Sequence, residues 1–340
     1  MYRLKFQRAR ERYEQKRRSK RWILRKKRAC ITRRLRIQTE QLVSRRETIS
    51  IIAPKDLSLL TNPNETLRYF SLCKSKLQGG ANIYLDISKI SSLGVEVITL
   101  LAALVNDPNF RGKGRIKGNA PDDPILGKLF CESGFYKYVR ASSAMKKMQI
   151  VDSNLFHKEN CHKVSPEIAK QACLHGLKHL KDEDLRNEKL YEILVEAMSN
   201  TNNHAAGEER GKEIRWWLYV YNVPNESISR YTFVDLGVGI FDSVPVSLFK
   251  KVTRSFRGNA SLVPDLLAGK IKSRESVDNK MRGKGIPQIA NNSREEIFSQ
   301  AILISNDVRI NLKDGTAYAL DAKLDGTLMY FELVKTNHIA

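Results

Sequence analysis

The chain has 340 residues, 41% of them hydrophobic, and carries 59 Lys and Arg against 37 Asp and Glu for a net charge of +22. That length suits about two domains with cores of their own. No apolar stretch precedes a small-residue cleavage site and the longest apolar run, Val97 to Val105, is too short to cross a bilayer, so neither a secretory leader nor a membrane span is expected and the protein reads as cytoplasmic. Five cysteines, Cys30, Cys73, Cys131, Cys161 and Cys173, are an odd, scattered set with no Cys-xx-Cys pair, which suits a reducing compartment.

The charge is uneven. Residues 1 to 46 hold 19 Lys and Arg against 3 Asp and Glu, a net of +16, and contain no Gly or Pro. A long helix is predicted there once its charge is neutralised. Leu24, Ile31, Leu35 and Leu42 leave a faint heptad trace, broken by Arg28 and Gln38. Such an arm reads as a clamp on the phosphate backbone of nucleic acid, because many cations on one segment release counterions without reading sequence. The alternatives are docking on an acidic protein or an anionic lipid.

From Thr48 to Val139, β-like and helical runs alternate. Strands are predicted at Ile49 to Ala53, Asn82 to Leu85 and Arg115 to Lys117. Helices are predicted at Asn64 to Leu77, at Val95 to Val105 with a serine hydroxyl from Ser91-Ser92 as its cap, and at Asp123 to Ser133. Leu85-Asp86-Ile87-Ser88, followed by Ser91-Ser92-Leu93-Gly94 and an apolar helix, resembles the STAS fold of bacterial anti-sigma-factor antagonists over about ninety residues. Those antagonists carry an acid before the phosphorylated serine and Ile90 stands in its place, so the resemblance implies docking of a protein partner rather than phosphoregulation.

Residues 141 to 164 are polar and read as a linker to a second domain at 165 to 340. His157, Cys161, His162, Cys173, His175 and His179 crowd together, but their spacing fits no standard zinc pattern. Ser165-Pro166-Glu167 opens a helix that runs to Leu180. In the next helix, Leu190, Ile193, Leu194, Ala197 and Met198 form a buried stripe, while Glu196, Asn200 and His204 follow one another a turn apart. Strands at Glu213 to Tyr221 and Ser229 to Val234, joined through Pro224-Asn225, lead to Asp235-Leu236-Gly237-Val238-Gly239-Ile240. About forty Lys-, Arg-, Ser- and Gly-rich residues, read as a mobile lid, separate this motif from Arg282-Gly283-Lys284-Gly285-Ile286. A last strand is predicted at Gly326-Thr327 to Leu333.

The residue types carry their own chemistry. Asp235 is an acceptor-only carboxylate suited to the exocyclic amine of adenine, and Gly237 and Gly239 let the backbone approach a flat base. Asn200 offers an amide oxygen to Mg2+, and Glu196 can orient or deprotonate an attacking water. No Gly-xxxx-Gly-Lys-Ser/Thr occurs, a dinucleotide fingerprint would need a third glycine, and the protein-kinase signatures are missing.

In this order the four segments resemble the N-box, G1-box, G2-box and closing Gly-Thr strand of the GHKL ATPases: gyrase B, the Hsp-type chaperones, histidine kinases and MutL mismatch-repair proteins. The resemblance implies a two-layer α/β sandwich of Bergerat (HATPase) type after the small STAS-like α/β domain, with ATP and Mg2+ as ligands. It assigns Glu196 as the catalytic acid or base, Asn200 as the Mg2+ ligand, and Asn203, His204, Asp235, Gly237, Gly239, Ile240, Arg282, Gly283, Lys284, Gly285 and Thr327 to nucleotide binding. It further implies a hydrolase whose lid closure switches dimerisation, partner contacts or nucleic-acid contacts. The alternative is a regulatory protein serine kinase, or a nucleotide-gated module, acting through the STAS-like domain. No helical hairpin with a phospho-accepting histidine precedes the site, which argues against a histidine autokinase.

Overall fold

The computed structural model describes residues 22, 26, 47–110, 114–139, 154–160, 164–181, 188–204, 214–243, 258–271 and 285–335, with the backbone alone at 154–160, 203 and 204. The basic arm therefore lies outside the described residues, apart from helical Trp22 and Lys26, whose ammonium sits 4.0 Å from the indole centroid.

The N-terminal part is built on parallel strands. β1 (Thr48–Ile52), β3 (Asn82–Asp86) and β5 (Ile116–Gly118) form a sheet in the order β1-β3-β5, and the short β2 (Asp56–Leu57) and β4 (Ser92–Leu93) pair beside it. Parallel neighbours need crossovers. They are supplied by α1 (Pro63–Gln78) and α2 (Val95–Val105), and α3 (Pro124–Glu132) follows β5 with Asp123 as its cap, accepting the N–H groups of Ile125 and Leu126 at 2.9 Å. The serine cap expected for α2 is not there: Ser92 is in a strand and Gly94 occupies the cap position without a side-chain bond. Instead Glu96, fully buried, turns back to accept the Ser58 hydroxyl and the Leu59 N–H, both at 2.9 Å.

The second part holds a five-stranded antiparallel sheet in the order β6-β7-β8-β10-β9, from β6 (Asn154–Asn160), β7 (Arg215–Asn222), β8 (Ile228–Asp235), β9 (Phe298–Asn311) and β10 (Ala317–Val334). Residues read from sequence as linker thus supply its edge strand, β6. Helices α4 (Pro166–Leu180) and α5 (Glu188–His204) cover one face, packed on Trp216, Leu218, Val220, Tyr231, Phe233, Met329 and Phe331. Alternate residues of the same strands, Trp217, Tyr219, Val234, Ile304, Leu328 and Tyr330, point the other way and share a core with α1 and α2. A sheet covered on both faces explains the unbroken apolar run of β7. A helix enclosed in that shared core explains α2, in which every residue from Val95 to Leu104 is buried.

β9 and β10 extend past the rest of the sheet as a hairpin, with shifts of register between Ala319 and Thr327. β10 is tied to α1 by Arg68–Asp321 at 3.0 Å, by Lys74–Asp325 at 2.6 Å and by the Asp321 N–H on Asn64 Oδ1 at 3.0 Å. Such exposed ion pairs contribute about 1 kcal/mol or less each, so the shared apolar core does most of the holding. After β8 come the single turn α6 (Ile240–Ser243), then α7 (Val263–Leu267) and α8 (Gly285–Asn292). The lid expected between the glycine motifs is packed in its middle: Leu262, Val263 and Leu266 are buried against the helix-side core. No helix among the described residues is long and apolar enough to cross a membrane, and they contain no cluster of three or more His, Cys, Asp or Glu side chains placed to hold a metal.

Candidate functional site

α5 lays its apolar stripe, Leu190, Ile193, Leu194, Ala197 and Met198, on the sheet. This turns Glu196 and Asn200 toward the start of α8 rather than into the core. There Gly285 is in contact with both: a methyl group added to it would overlap Glu196 Oε1 and come within 3.0 Å of both amide atoms of Asn200. The absence of a side chain lets the two helices meet, and Glu192 fastens them one turn earlier by accepting Asn292 Nδ2 at 2.7 Å.

Thr201, next to Asn200 and itself buried, connects α5 to the sheet, its hydroxyl lying 3.1 Å from Asp235 Oδ2 and 3.2 Å from the Ala197 carbonyl oxygen. Asp235 ends β8 opposite Thr327 of β10, and its Oδ1 accepts the Gly237 N–H at 2.9 Å. The chain then turns through Gly239, with φ +80° and the Asn306 side chain directly below it, into α6.

Two carboxyl groups here are held above their ordinary range. Burial raises Glu196. Burial also raises Asp235 from 3.8 to about 6, against the opposing bonds from Gly237, Thr201 and the Thr327 backbone. Both are acids in low-dielectric surroundings, as expected where a site needs a base near neutral pH or an acceptor with unused capacity. Asn200 adds a third signal, since its Nδ2 is buried and makes no hydrogen bond among the described residues.

The shift of Asp235 predicts a pH effect. A raised folded value means that the folded protein holds this proton more tightly than the unfolded chain, so the contribution is complete below pH 3.8 and is lost as the pH rises through about 6. The full difference is on the order of 3 kcal/mol. In Asp235→Asn, the amide oxygen accepts from Gly237 and the nitrogen donates to Thr201. That variant is expected to flatten the stability curve between about pH 4 and pH 7 and to be the more stable protein at pH 7.5. Urea unfolding over that range checks it, and two parallel curves would mean that Asp235 titrates as an ordinary carboxyl.

The sequence motifs therefore meet at one end of the sheet: Glu196 and Asn200 on α5, Asp235 to Ile240 after β8, Gly285 at the start of α8, and Thr327 on β10. Arg282, Gly283 and Lys284 lie outside the described residues, as do the side chains of Asn203 and His204. The sequence reading missed Thr201, Ser305 and Asn306. Thr201 gave no signal beyond its place beside Asn200, whereas Ser305-Asn306-Asp307 is a turn-type run inside an apolar strand. The chain matches no protein-family model, and no curated protein is significantly similar to it.

Proposed function

We propose that the chain binds ATP with Mg2+ at this end of the sheet and hydrolyses it slowly, as a GHKL-type protein with a Bergerat-like ATP domain and a STAS-like N-terminal part. One observation carries the reading: residues far apart in sequence converge so that Glu196, Asn200 and Gly285 are in contact and Thr201 bridges to Asp235, leaving the Asn200 amide nitrogen buried without an acceptor among the described residues. A dry, unpaired amide costs about 1–3 kcal/mol, which a phosphate oxygen would offset. Rotated by half a turn, the same amide offers its oxygen to Mg2+. When bound, Mg2+ neutralises phosphate charge and favours displacement at the terminal phosphorus.

The chain's own groups do the rest. Asp235 keeps a lone pair free beyond those facing Gly237, Thr201 and the Thr327 backbone and accepts the adenine amine. Its cost of ionisation in a dry site favours a ligand that donates to it. The Gly237–Gly239 backbone, without side chains at either glycine, would let the base approach. Glu196, one turn before Asn200, orients a water and takes its proton, helped by the upward shift that burial imposes. Incubation with γ-labelled ATP and Mg2+ tests the reaction: free labelled phosphate is the expected product, and label transferred to a protein would contradict the ATPase in favour of a serine kinase.

The arm at residues 1–46 is proposed to bind nucleic acid without sequence preference, on the strength of its net charge of +16. Six phosphate contacts on duplex DNA give a log–log salt slope of about −5, so affinity is expected to fall by about three decades between low and moderate salt. Anisotropy titrations of the full and arm-deleted chains check this. A flat salt dependence, or equal affinity of the two, would favour an acidic protein as the arm's partner.

A further inference from the structure

The turn that carries the glycine motif is held from below by two side chains of β9. We infer that Ser305 and Asn306 are positioning residues for nucleotide binding, an inference that rests on the ATP reading of the same site. Asn306 uses its whole amide: Oδ1 accepts the Phe241 N–H at 3.1 Å, and Nδ2 donates to the Val238 carbonyl and to Asp242 Oδ2, both at 2.9 Å. Ser305 Oγ accepts the Ile240 N–H at 2.8 Å and donates to the Gly326 carbonyl at 2.9 Å. A single hydroxyl thus joins the turn to the segment of β10 in which Thr327 stands beside Asp235.

The backbone has been bent to make this possible. Asn306 has φ +52° in the middle of a strand, a left-handed conformation that Asn tolerates better than other side chains. The bend brings its amide beneath Gly239, where a Cβ would collide with it. The turn from Val238 to Asp242 therefore takes its shape from β9, the sheet strand next to β10, and through Gly326 the Ser305 hydroxyl also reaches the surroundings of Asp235. Ser305 and Asn306 contact the turn and not the space in front of it, so they act through the groups that meet the base.

Asn306→Gly is the discriminating variant, since it accepts φ +52° without strain while removing the side chain that holds the turn. Expected results are a melting temperature within a few degrees of the parent, an ATP Kd raised tenfold or more, a reduced preference for ATP over GTP, and faster amide exchange in the 238–243 peptide. Ser305→Ala, which leaves the left-handed residue in place, is expected to repeat the pattern more weakly and serves if the first variant fails to fold. Unchanged exchange in that peptide, or an unchanged Kd with unchanged base preference, would overturn the inference. A parent chain that binds no ATP removes the nucleotide reading and the positioning role with it, while the exchange data still decide whether Asn306 holds the turn.

Discussion

Glu196→Gln is expected to lower phosphate release a hundredfold or more while leaving ATP affinity within about twofold. Loss of a positioned base costs roughly 10²–10⁴ in rate, and an interaction needed only in the transition state lowers turnover without touching ground-state binding. Glutamine keeps the shape that packs against Gly285, so the helix contact survives the change. At saturating ATP the parent should also show an acidic limb in its kcat profile above the ordinary glutamate value of 4.5, because burial raises this carboxyl, and the variant should lack that limb. Equal hydrolysis by both proteins would reduce Glu196 to a packing residue of α5.

The second large effect belongs to the fold. Trp217 is 1% exposed, packs edge-on to Tyr138 with ring centroids 5.0 Å apart, and belongs to the core that the antiparallel sheet shares with α1 and α2. Trp217→Ala is expected to cost about 3–5 kcal/mol, the usual range for deleting a buried aromatic. Because one core serves both parts, that loss should appear as a single unfolding transition moved to lower temperature, followed by circular dichroism. Two separated transitions, with only the second part destabilised, would show that the sheet and the N-terminal helices unfold independently.

Much of this architecture was legible because it rests on periodicity. The stripe of α5, the β-rich run of β8 and the largely apolar α2 each name their element from sequence, and the first two also locate Glu196, Asn200 and Asp235. What stayed hidden depends on distant partners. The cap of α2 was misread because Ser92 is taken up by pairing with Asp56 and because the polar anchor is Glu96, bonded to Ser58. β6 was missed because its polar residues Asn154, His157, Lys158, Glu159 and Asn160 become a strand only through pairing with β7. The same holds for Ser305 and Asn306, whose role exists only once β9 passes under the glycine turn.

The central claim, an ATP site built around Asp235, is tested most directly by calorimetric titration of ATP with Mg2+ into the full chain and into Asp235→Asn at pH 7.5. One saturable site is expected in the parent. In the variant, which retains its internal bonds to Gly237 and Thr201 but presents a mixed donor–acceptor group to the base, affinity should be at least tenfold weaker with no loss of fold. No binding heat in the parent, or equal affinity in both proteins, would contradict it.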